Sequence, residues 1–178
     1  MDRKEFLKNA CGLGICGCML SLFGSPGRLQ AAETPGEDQR LRFARYQLAK
    51  LLGFMADGAP AGTCAEILEK TGRECAKLGQ LGVRFKGNPE GYFAAAKQNW
   101  GTDFTWDKDK NVVTVVVAEG ECGCPLVDPK RTPVLWCNCS VGYQKESFEA
   151  IFGKPVQACL KESKLSGSKR CVFEIKLS

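Results

Sequence analysis

The sequence predicts an α+β fold: N-terminal helices followed by an antiparallel sheet interrupted by one helix. Three observations carry this. Up to about residue 100, apolar residues recur at helical spacing. After Gly101 the period changes to two, in Asp103-Phe104-Thr105-Trp106 and Val112-Val113-Thr114-Val115-Val116-Val117, on either side of a polar turn at residues 107–111. A second helical stretch, residues 141–152, precedes two more strand-like runs, 156–163 and 170–177, joined by Ser166-Gly167. Helices first and strands later, without βαβ alternation, is the α+β order.

The elements follow in turn. Leu41, Ala44, Leu48, Leu51, Leu52 and Met55 mark the first helix, ended by Gly58-Ala59-Pro60. Thr63 is placed to cap the second, whose stripe is Cys64, Ile67, Leu68, Cys75 and Leu78. Cys64 and Cys75 then share a face roughly 16 Å apart, too far for a disulfide, unless Gly72 breaks the helix. Pro89 suits the first position of a third helix through Tyr92, Phe93 and Ala96. Val112–Val117 is apolar on both faces and reads as a central strand. Thr132–Cys137 reads as a strand too. Ser140 is then placed to cap a helix carrying Tyr143, Phe148, Ile151 and Phe152, ended by Gly153-Lys154-Pro155.

Residues 1–31 read as an export signal, leaving residues 32–178 as a single cysteine-rich domain. Arg3-Lys4-Glu5-Phe6-Leu7-Lys8 resembles the twin-arginine motif with Lys4 in place of the second arginine. The apolar stretch after it is too short and glycine-rich for a good spanning helix. An ordinary secretory signal, or a lipoprotein signal ending at Gly17-Cys18, are the other readings. The expected location is outside the cytoplasm, periplasmic or extracellular, with no stable membrane span once the signal is removed.

The formal charge of +5 is scattered, and no basic stripe is visible, which argues against a nucleic-acid partner. The chain has no histidine. Serine–histidine and cysteine–histidine hydrolase mechanisms are therefore excluded, and any metal site must be built from thiolates or carboxylates.

The chemistry gathers between Cys122 and Cys139. Cys122-Gly123-Cys124-Pro125 and Cys137-Asn138-Cys139-Ser140 place four thiols within eighteen residues. Two Cys-x-Cys pairs supply enough thiolates for zinc or an iron–sulfur cluster, with Cys75 as a candidate fifth. Hard cations such as calcium and magnesium do not suit such donors. If Val112–Val117 and Thr132–Cys137 are neighbouring strands, alternation sends Cys137 and Cys139 to one face, and the pairs converge. The disulfide alternative stays open, since eight cysteines follow residue 31. Cys159 and Cys171, on adjoining strands, are the candidate cross-strand pair.

Cys124-Pro125, Cys137-Asn138-Cys139-Ser140-Val141-Gly142-Tyr143, Phe148, Gly153-Lys154-Pro155-Val156, Gly167 and Cys171-Val172-Phe173 together resemble the tail of the 4-vinyl-reductase-type small-molecule-binding domains. They are similar also to the related L-2-amino-thiazoline-4-carboxylic acid hydrolases. The resemblance covers about residues 120–177. It marks Cys139, Cys171 and Gly167 as family positions. Ser163 stands where the binding domains often carry another cysteine, and Gly142-Tyr143 where the hydrolases carry an acidic residue. The resemblance implies an α+β fold that binds a small molecule, with Tyr143 and Phe148 as candidate ligand contacts. The expected function is an exported cysteine-cluster domain binding a metal, and with it a small apolar ligand. The alternatives are a thiol- or metal-dependent hydrolase of a small cyclic amidine or amide, using Glu121 or Asp128 as carboxylate, and a disulfide-stapled secreted domain.

Overall fold

The computed structural model describes residues 38–178. The export signal expected at residues 1–31, with Cys11, Cys16 and Cys18, lies outside the described residues. Helix α1 spans Gln39–Gly58, α2 Ala61–Gly79, the short α3 Leu81–Arg84 and α4 Pro89–Trp100. Strands β1 (Asp103–Asp107) and β2 (Val112–Val116) form a hairpin. After an irregular stretch, a 3-10 turn at Val134–Trp136 leads into α5, Cys137–Phe152, and then into β3 (Val156–Glu162) and β4 (Val172–Leu177). The sheet order is β1-β2-β4-β3, antiparallel throughout. The expected α+β order is the one found, with β2 and β4 interior. Among the described residues no helix is long and apolar enough to cross a membrane.

The period-two pattern sorts the sheet into two faces. Phe104, Val115, Phe173 and Leu160 lie on one rung across all four strands, and Trp106, Val113, Ile175 and Ala158 on the next. These face α5 and α4, whose Tyr92, Val141, Phe148 and Ile151 complete the main core. Phe93, Phe104, Tyr92 and Phe152 surround Phe148, their ring centroids 5.9–6.4 Å from its own. A second core of Leu52, Leu68, Val127 and Trp136 ties α1 and α2 to the irregular stretch.

Two helices predicted as simple amphipathic stripes pack differently. In α2 the buried side is Cys64, Leu68, Gly72 and Ala76, while Ile67 and Leu78 are exposed. In α1 only Leu52 is fully buried, and Leu51 is exposed. Cys64 donates from Sγ to the Met55 carbonyl at 3.3 Å, fastening the end of α1 to the start of α2.

Gly72 does not break α2. It is where α2 meets α5: a Cβ there would fall on the carbonyl oxygen of Cys139 and within 2.8 Å of the Tyr143 nitrogen. Gly142 is its counterpart, with Glu69 backbone in the space a Cβ would take. The two glycines let the helix backbones touch, which any side chain would prevent.

Charged pairs close the same seam. Arg73 donates to Glu149 at 2.7 and 3.1 Å and to Glu146 at 3.0 Å, and Lys145 pairs with Glu69. The hydrogen bond from Arg73 lowers the pKa of Glu149 from its ordinary value despite partial burial. A carboxyl held low stabilises the fold above the usual carboxylate range, and that contribution is lost as pH falls through the folded value. Arg73→Met is expected to cost about 1.5–3 kcal/mol at pH 7, measured by urea unfolding. The cost should shrink on the acid side as Glu149 protonates in both proteins.

Candidate functional site: a thiol-lined cavity

The cysteines are brought together by a route other than paired strands. Thr132–Cys137 is not a strand. The stretch turns at Val134–Trp136, and Cys137 and Cys139 lie in the first turn of α5. Residues two apart on a helix differ by about 200° in direction, so the two thiols diverge. Cys137 is buried toward Ser163, with Sγ and Oγ 3.0 Å apart. Cys139 lines a separate cavity together with Cys75 and Cys124.

The Cys122–Cys124 loop reaches both sides. It is held from behind. Val127 donates its N–H to the Cys124 carbonyl at 3.1 Å, and Thr132 Oγ accepts from Asp128 N at 2.9 Å. Arg45 Nε donates to the Pro125 carbonyl at 2.6 Å. Lys164 Nζ donates to the Glu121 carbonyl at 3.0 Å.

The result is two thiol groups joined by one loop. The inner group is Cys122, Cys137 and Cys171, around a void of about 20 Å³ that Ser163 also lines. Cys171 Sγ accepts from the Lys164 N–H at 3.5 Å. The outer group is Cys75, Cys124 and Cys139. It opens into a cavity of about 400 Å³ whose wall also receives Cys122 and Cys171. Trp100, Trp136, Tyr143 and Phe173 supply the apolar surface, and Lys164 stands at the wall. An adjoining cleft of about 390 Å³ shares Trp100, Tyr143, Gln144 and Lys164 and is also lined by Glu121. The close contact at Gly72 and Gly142 positions the outer group: Cys75 is one turn beyond Gly72, and Cys139 is the residue Gly72 touches.

Burial sets the electrostatics. It pushes Cys139 up to about 12, with the neighbouring Cys124 and Cys75 adding to the rise. Burial likewise raises Cys122, against a backbone hydrogen bond from Cys124 that lowers it. Cys137 is raised by burial, with Ser163 opposing. Tyr143 is raised by burial and then by Cys75. Burial thus favours the neutral SH form at Cys122, Cys137 and Cys139. Among the described residues no three thiol or carboxylate groups stand at metal-holding geometry.

The sequence-predicted residues divide accordingly. Cys75, Cys122, Cys124 and Cys139 meet at the cavity, with Cys137 behind them. Tyr143 lines the cavity, but Phe148 does not: it is fully buried among core rings. Cys159 stands opposite Glu174 on the outer face of the sheet and is exposed. The strand register, shifted between Leu160 and Glu162, does not bring Cys159 to Cys171. All eight cysteines of the described residues are free thiols. Asp128 caps its own loop, accepting from Lys130 N. Sequence reasoning missed Cys171 as a cavity residue, and Trp100, Trp136, Gln144 and Lys164 with it.

No family model matches the chain, and no curated protein matches it. Among solved structures it is similar to trafficking protein particle complex subunit 3 from Naegleria fowleri covalently bound to palmitic acid. The identity is 18%, over 77% of this chain and 96% of that one, with a TM-score of 0.46. It is similar also to a vinyl-4-reductase family protein from Methanocaldococcus jannaschii, at 18% identity over 82% and 85% of the two chains, with a TM-score of 0.42. Both are distant likenesses in fold.

Proposed function

We propose that this chain is an exported thiol-based binding domain. It holds a soft or borderline metal, zinc or an iron–sulfur cluster, on the cysteines of the cavity wall, and accommodates a small apolar ligand beside it. The observation that carries this reading is one cavity wall receiving five thiols, Cys75, Cys122, Cys124, Cys139 and Cys171, with four aromatic rings around them. Thiolate donors without imidazole select soft ions. Cys124 and Cys139 are the ligands on which retention depends, with Cys75 and Cys122 beside them. Bringing the sulfurs onto one ion takes rotation about their side-chain bonds, which the open volume of the cavity permits.

The hydrolase reading is weaker for a stated reason. A nucleophilic cysteine needs a lowered pKa or an adjacent base. Here burial raises the thiols for which a shift is resolved, and the chain has no histidine.

Metal uptake must expel thiol protons. Apparent affinity should therefore rise with pH, by up to about tenfold per pH unit for each proton displaced. Titration of reduced protein with Cd²⁺, followed by sulfur-to-metal charge-transfer absorption, tests this. Cys124→Ser with Cys139→Ser is expected to abolish tight uptake, while Cys64→Ala, remote from the cavity, leaves it unaltered. Uptake that ignores the double substitution contradicts the reading.

A further inference from the structure

The outer thiol group is shaped for more than a bare ion. Its three cysteines, Cys75, Cys124 and Cys139, line a cavity of about 400 Å³, a volume in the range of pockets for small organic molecules. The inner group has only about 20 Å³ between its thiols, room for a single ion. The same cavity is lined by Trp100, Val117, Tyr143 and Phe173, apolar surface that offers a hydrated cation nothing. On the same wall the side-chain oxygen of Gln144 is buried and accepts no hydrogen bond from the described residues. A buried acceptor without a partner costs stability unless something supplies a donor. Cys75 is exposed, so the outer group can be reached from solvent.

We propose that Cys75, Cys124 and Cys139 form a site for a thiophilic centre that carries one apolar organic group, the centre bonded to sulfur and the group lodged against Trp100, Tyr143 and Phe173. The ligand class is an organo-substituted soft cation or metalloid, such as an aryl-substituted trivalent arsenic. This deepens the metal-binding reading of the same cavity and rests on it. The bond chemistry is substitution without redox change. For a hydrated arylarsine oxide, two thiols give up their protons, two As–S bonds replace two As–OH bonds, and two waters leave. Arsenic stays trivalent. Cys124 and Cys139 supply the two bonding sulfurs with Cys75 flanking them, and the exposed single thiol Cys159 cannot supply a pair.

The test uses the full chain, reduced, with phenylarsine oxide and arsenite as probes and Cd²⁺ as the reference ion. Trp100 and Trp136 line the cavity, so their fluorescence reports occupancy. Phenylarsine oxide is expected to quench it with one equivalent bound, at least about tenfold tighter than arsenite, from burial of the ring. Cys139→Ser and Cys124→Ser should each remove that equivalent. Cys75→Ser, a change at an exposed position that leaves the fold alone, should weaken it. Pairing by Cys16 and Cys18 would be insensitive to all three substitutions and is read separately. If Cd²⁺ binds as expected but phenylarsine oxide binds no tighter than arsenite, or its equivalent survives Cys139→Ser, this inference is overturned and the metal-binding reading stands. If neither Cd²⁺ nor phenylarsine oxide depends on these cysteines, both fall.

Discussion

Gly142→Ala is expected to lower stability by about 3 kcal/mol, the upper end of what overpacking costs, read as a shift of the urea midpoint at constant slope. In an open helix the same change would stabilise, since glycine costs about 1 kcal/mol relative to alanine. The sign is therefore the test. The added Cβ falls on Glu69, lying 2.7 Å from its Cα, and backbone cannot rotate away as a side chain can. Gly72→Ala meets the Cys139 carbonyl and should behave alike. Gly53→Ala, with nothing within 4 Å of the new Cβ, should be neutral or stabilising. Because Gly72 and Gly142 set the spacing of Cys75 and Cys139, either substitution should also weaken soft-metal uptake in whatever fraction stays folded. A stable Gly142→Ala protein would mean that α2 and α5 do not touch as described.

Phe148→Ala carries the second large effect, a loss of about 3–5 kcal/mol. Phe148 is 0% exposed and ringed by Tyr92, Phe93, Phe104 and Phe152. It does not itself line the thiol cavity. Soft-metal affinity of the folded variant should stay within a few-fold of the parent. A Phe148→Ala protein that keeps its stability and loses ligand would restore the ligand-contact role that the family resemblance assigns to it.

The strands and the late helix were legible because their signals are local. Alternation in Asp103–Trp106, the valine run from Val112 and the caps around Gly153 each specify one element. Thr132–Cys137 was not, because a short apolar run of Val134, Leu135 and Trp136 fits a strand or the start of a buried helix equally well. That single reading changes the site. On a strand Cys137 and Cys139 would share a face, whereas on α5 they part, and the thiols form two groups instead of one. Cys171 reads from sequence as a partner of Cys159 and not as a cavity residue for a long-range reason: the register shift between Leu160 and Glu162 sets the ends of the last hairpin, and nothing near Cys171 encodes it. Gly72 and Gly142 sit inside helical patterns where glycine is costly, and a glycine kept there points to close backbone approach as readily as to a break.

The cysteines of one cavity wall are proposed to hold a soft metal. X-ray absorption on protein purified without oxygen, with its metal content measured on the same sample, tests it most directly. The expected result is a shell of three or four sulfurs, at about 2.3 Å if the ion is zinc, with no nitrogen shell, and its loss in the Cys124→Ser, Cys139→Ser protein. A shell of oxygen and nitrogen, or metal-free protein whose Cys122, Cys124, Cys137 and Cys139 are joined in disulfides, would contradict it.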